Sequence, residues 1–133
     1  MTLLTQDQLT QLIANGAATE AALAAHQDPP DHKPVVKLFT PDGACTWLLS
    51  EVDPEAPDIA FGLCDLGMGC PELGSVSLAE LGTVRGRLRL PIERDLWFEA
   101  RCSITVYARA AWRAGRITEQ ASDLEAAAEP KAA

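Results

Sequence analysis

No apolar run in this chain approaches the roughly 20 residues that a membrane helix needs, although 47% of its 133 residues are hydrophobic. The opening MTLLTQDQLTQLI has no basic stretch and no small-residue cleavage site, so it does not read as an export signal. The four cysteines do not follow the spacing of a disulfide scaffold. The expectation is a cytoplasmic protein with reduced thiols and no membrane contact. No histidine follows His32, so Cys64 and Cys70 have no base nearby in sequence to make either a nucleophile. Five residues separate those two cysteines, a longer gap than paired zinc ligands usually show. Gly67-Met68-Gly69 lacks the lysine and hydroxyl of a phosphate loop, and Asp65 and Glu72 beside it repel phosphate. Neither a resident metal nor a cofactor is expected.

What the chain does have is acid, unevenly placed. Net charge is -8, and residues 35–76 hold seven acids against one base, Lys37. Residues 77–115 reverse the balance, with seven arginines against four acids. An acidic middle opposes loose phosphate-backbone binding by the whole surface and suits a protein partner that carries positive charge.

The hydrophobic period changes along the chain. Thr5-x-x-Gln8 is a capping box, and Leu9, Leu12 and Ile13 form a helical stripe. Asn15-Gly16 reads as a stop, with a second, alanine-rich helix over about 19–26. Asp28-Pro29-Pro30-Asp31 is a turn or linker. Residues 35–39, 46–52, 59–65 and 73–76 then read as strands, the first two as an antiparallel hairpin. Ser77-x-x-Glu80 opens a short helix that Gly82 ends. Arg85, Arg87 and Arg89 alternate with small or apolar residues, which suggests an extended segment, and Asp95 to Glu99 suggests one more strand. Ser103 caps a helix whose stripe is Ile104, Tyr107, Ala108, Ala111 and Trp112, closed by Gly115. The expected fold is α+β: a helical arm and linker at 1–34, and a core at 35–115. That core has a small, mostly antiparallel sheet of four to five strands and a packing C-terminal helix. A frayed or disordered tail is expected at 116–133.

The densest stretch is FGLCDLGMGCPELG, Phe61 to Gly74, with two cysteines, two carboxylates and four glycines. Together with KLFTP at 37–41, TWLLSEVDP at 46–54 and LPIERDLWF at 90–98, it resembles a family of small bacterial proteins known as a domain of unknown function. The resemblance runs from about Val35 to Trp112. Members of that family occur largely on plasmids and integrative elements, so the resemblance implies a role in transfer, maintenance or interference with host defence.

The candidate partner-binding residues are Glu51, Asp53, Asp58, Asp65 and Glu72, expected at strand ends on one edge of the sheet, with Trp47 as a neighbour. The favoured function is a non-enzymatic accessory protein of a mobile element, binding a host or element-encoded protein, with the acidic face imitating nucleic acid. A first alternative is a metal-binding domain or metal-dependent hydrolase using the same carboxylates as hard oxygen ligands. A second is nucleic-acid or acidic-partner contact through Arg85, Arg87, Arg89, Arg94 and Arg101, aided by Trp97. Trp47 and Trp112 are expected in the core.

Overall fold

The structure, a computed structural model, describes residues 3–128. The fold is α+β. Five antiparallel strands, β1 (Val36–Phe39), β2 (Thr46–Val52), β3 (Ile59–Asp65), β4 (Glu72–Ser77) and β5 (Glu93–Arg94), lie in the order β4-β3-β2-β1-β5. The helices are α1 (Gln6–Ala24), α2 (Leu78–Leu81), α3 (Ile104–Ala114) and α4 (Ala121–Ala128). No helix among the described residues is long and apolar enough to cross a membrane.

Alternation along β2 divides the core into two layers. Trp47 and Leu49 point to one face and pack with Leu12 of α1, Val36, Leu38, Ala60 and Leu81. Leu48 points to the other and packs with Leu63, with Ile104, Tyr107 and Ala111 of α3, and with Leu124 of α4. The register slips between Leu49 and Glu51, so Ser50 is the extra residue of a bulge. The slip returns Val52 to the α1 face, where it is fully buried, and turns Glu51 to the opposite face beside its partner Phe61.

Helix α1 overturns the expected stop at Asn15-Gly16: it is one helix of 19 residues. The Asn15 amide donates to the Ser50 carbonyl in the bulge at 2.9 Å. Gly16 is buried because a Cβ there would lie 1.9 Å from the Val52 carbonyl oxygen. Both residues serve the packing of α1 on β2. The anticipated capping box at Thr5 and Gln8 is present in both directions.

The arginine alternation does not form a strand. Arg85 pairs with Pro91 in a single bridge, and the intervening loop wraps around the Asp42 carboxylate, which accepts from the Leu88 amide at 2.6 Å. Arg89 sits at φ 63°, outside extended geometry. Strand β5 ends at Arg94; the Asp95 amide still bonds the Lys37 carbonyl at 2.9 Å, and the chain then turns with the Trp97 amide on the Asp95 carboxylate, so the strand expected at 95–99 is absent. Trp112 is not core: it is 55% exposed, and its indole N–H donates to the Pro71 carbonyl at 2.8 Å. The alanine stripe of α3 is narrow, and Trp112 falls just outside it. The expected frayed tail is folded at least to Ala128. Leu124 and Ala127 of α4 are buried against α3, and Lys37 Nζ holds the Glu119 carboxylate at 2.6 Å. One leucine and one alanine over two turns give too weak a stripe to signal that helix. Residues 129–133 of the expected tail lie outside the described residues.

Candidate functional site

The five candidate carboxylates do not converge. Glu51, Asp53 and Asp58 stand where β2 ends and β3 begins; Asp65 and Glu72 stand where β3 ends and β4 begins. Six residues of β3 lie between Asp58 and Asp65, which sets the two groups about 20 Å apart at the usual rise per residue. Asp65 is a structural group. It is 5% exposed, and it accepts from the Gly67 amide at 2.8 Å and the Ile117 amide at 3.0 Å. Glu72 is exposed opposite Cys64. Trp47 is 4% exposed beneath α1, so its ring belongs to the core and cannot meet a partner.

Asp58 caps α2 from outside. It accepts from the Ser77 hydroxyl at 2.6 Å and the Ala79 amide at 2.8 Å. The Ser77 bond first, and the Ala79 bond next, lower its pKa from 3.8. An acid whose folded pKa is depressed adds stability above its unfolded pKa and loses it as pH falls through the folded value. D58N is therefore expected to melt below wild type at neutral pH, with the gap closing as pH drops beneath about 4. Thermal melts across pH 2–7 check this; a gap that does not depend on pH would remove the charge-assisted cap.

A different acidic group forms at the same sheet end. One carboxylate oxygen each from Glu20, Asp53 and Glu55 lies within 4.8 Å of the others, and all three residues are exposed. Asp53 also accepts from the Glu55 amide at 2.9 Å, which fixes the turn. Desolvation among these neighbours, and then the charges of Glu55 and Asp53, hold the Glu20 carboxyl above its usual range. Glu20 and Thr19 reach this end because α1 continues past Gly16.

Thr19 and Glu51, near neighbours of the trio in the chain, line a crevice of about 410 Å³. Its apolar walls are Pro29, Pro30, Phe61, Leu73 and Ile104. Inside it the Thr19 hydroxyl donates to Glu51 Oε1 at 3.2 Å and meets His32 Nε2 at 3.2 Å. The N-terminus of α3 borders the crevice, and its first two amides are engaged: the Ile104 amide bonds the His32 carbonyl at 2.8 Å, and Asp31 takes the Thr105 amide and hydroxyl. Ser103 is the N-cap residue yet makes no side-chain cap bond, because Asp31 fills that place from the linker. Sequence reasoning missed Thr19, Glu20, Asp31, His32 and Glu55 as site residues. A helix drawn unbroken through Gly16 was the signal that would have placed the first two.

The arginines divide as well. Arg85 donates to the carbonyls of Gly82 and Val84, and Arg94 donates to the Leu3 carbonyl, so both tie the chain to itself. Arg87 and Arg89 are exposed on the loop around Asp42. All four cysteines are free. Burial raises the pKa of Cys64, the reverse of activation. Among the described residues the cysteines join no group of three that could hold a metal ion; Glu20, Asp53 and Glu55 do.

A family model described as a protein of unknown function, DUF2958, matches residues 3–118. No curated protein and no solved structure matches the chain.

Proposed function

The chain belongs to the DUF2958 family, and we propose that it is a non-enzymatic protein-contact module whose acidic sheet end binds a basic protein surface. In its sharper form, the acidic end stands in for nucleic acid and occupies a nucleic-acid-binding protein in the cytoplasm, on behalf of a mobile genetic element. The observation that supports this is the crowding of Glu20, Asp53 and Glu55 on an exposed surface. No lysine or arginine occurs between Phe39 and Val84, or before Lys33, to relieve it. Like charges held this close repel one another, and a cationic partner removes that cost while the chain's field speeds the encounter.

The test is release of host proteins from immobilised double-stranded DNA at physiological salt. The wild-type chain is expected to release a defined protein. The E20K/D53K/E55K variant, checked for folding, is expected to need at least about tenfold more protein for the same effect. Equal release by both, or by neither, overturns the reading.

The same convergence favours a second reading, a divalent-cation site with three carboxylate ligands and the rest water. Magnesium, manganese and calcium titrations separate the two: a saturable rise in melting temperature that D53N abolishes supports it, and no rise removes it.

A further inference from the structure

We propose that the crevice at Thr19, His32 and Glu51 is a socket for one arginine side chain of the basic partner. This rests on the acidic-face reading and names what that face grips. Three features select the ligand. The first is sign. The α3 N-terminus would ordinarily favour an anion, but its first donors are taken by the His32 carbonyl and by Asp31, and the carboxylates of Glu51 and Asp31 border the space. A cation is the matching charge. The second is an acceptor. Thr19 bonds Glu51 Oε1 and holds a carboxylate that lines the crevice, and the proposal gives its second oxygen to a ligand N–H. The third is the wall. Pro29, Pro30, Leu73 and Ile104 line the space for an aliphatic stem, and Phe61 adds an aromatic ring to the lining. A planar guanidinium uses both the carboxylate and the aromatic face, whereas an ammonium is strongly hydrated and gains less from such a site.

A threonine hydroxyl beside a carboxylate and an imidazole has the partners of an activated nucleophile. The arrangement lacks a pair of free donors for a developing oxyanion, since the amides of Ile104 and Thr105 are already bonded. Thr19 is a strut between Glu51 and His32.

The probe is Nα-acetyl-arginine amide, titrated into the isotope-labelled full chain and followed by amide shifts, with the lysine counterpart as control. Saturable shifts at Thr19, His32, Glu51, Phe61 and Thr105 are expected, stronger for arginine than for lysine. E51Q is expected to weaken arginine binding at least about tenfold, while E20Q/D53N/E55Q leaves the crevice shifts in place. If E51Q does not fold, F61L serves, with binding severalfold weaker. Shifts centred on Asp53 and Glu55, equal shifts with lysine, or no saturable shift overturn the socket. The two readings fail separately. If the probe bypasses the crevice while the chain still releases DNA-bound proteins, the socket falls and the acidic face stands. If the probe fills the crevice and nothing is released, the acidic-face reading falls.

Discussion

Asp65→Asn is expected to lower stability by about 3 kcal/mol, a drop of roughly 10 °C or more in melting temperature for a chain of this size. The carboxylate is buried and divides its two oxygens between the Gly67 and Ile117 amides. Asparagine keeps one acceptor and sets an NH2 against the other donor, so one buried N–H loses its partner and meets another donor. The damage has a direction. Gly67 belongs to the β3–β4 turn, and Ile117 opens the link to α4, where the Thr118 hydroxyl bonds Asp123 at 2.7 Å. Hydrogen exchange should therefore quicken in α4 and the β3–β4 turn before it quickens in α1. Glu72→Gln is the control: an exposed acid at the same sheet end, expected to stay within about 0.5 kcal/mol of wild type. Equal effects from D65N and E72Q would show that Asp65 is a surface acid and not a clamp.

The strands were legible because their side chains alternate and their turns carry Pro, Asp and Gly. β2 and β3 are placed residue for residue, and the Ser77 cap of α2 follows from the Ser77-x-x-Glu80 spacing. Three of the differences have separate physical reasons. The Arg85–Arg89 alternation imitates a strand, but the loop is held by Asp42, more than forty residues earlier, and no local pattern reports that contact. Helix α4 buries only Leu124 and Ala127, too little for a stripe to stand out from alanine background. The site was misjudged because the carboxylates were grouped by their nearness in sequence. A strand carries neighbours apart at 3.3 Å per residue, so Asp53 and Asp65 are at opposite ends of the sheet. Asp53 instead meets Glu20, which an unbroken α1 delivers from more than thirty residues earlier. Charge count along the sequence was informative about sign and uninformative about place.

Gly16→Ala reports by its sign whether α1 is docked on the sheet at Gly16. If Gly16 stood on the solvent side of the unbroken helix, alanine would stabilise the chain by about 1 kcal/mol, the usual difference in helix preference. In the packed helix the added Cβ falls 1.9 Å from the Val52 carbonyl oxygen and 3.2 Å from the Pro54 ring. The first of these is backbone and cannot swing aside, so α1 must lift off β2. A net loss of about 2 kcal/mol is expected after the helix preference is counted, and more for Gly16→Val. Gly74→Ala provides the contrast, since nothing lies within 4 Å of a Cβ there and β4 is an edge strand; it should be near neutral. The same displacement reaches the candidate site. Thr19 lies one turn beyond Gly16 and spans 3.2 Å to Glu51, and Glu20 follows it into the acidic trio. A variant that lifts α1 should therefore lose affinity for the arginine probe along with stability, under conditions where it is still folded. A G16A chain that melts lower yet binds the probe as wild type does would separate helix docking from the crevice, and would leave Glu51 and Phe61 to form it without Thr19.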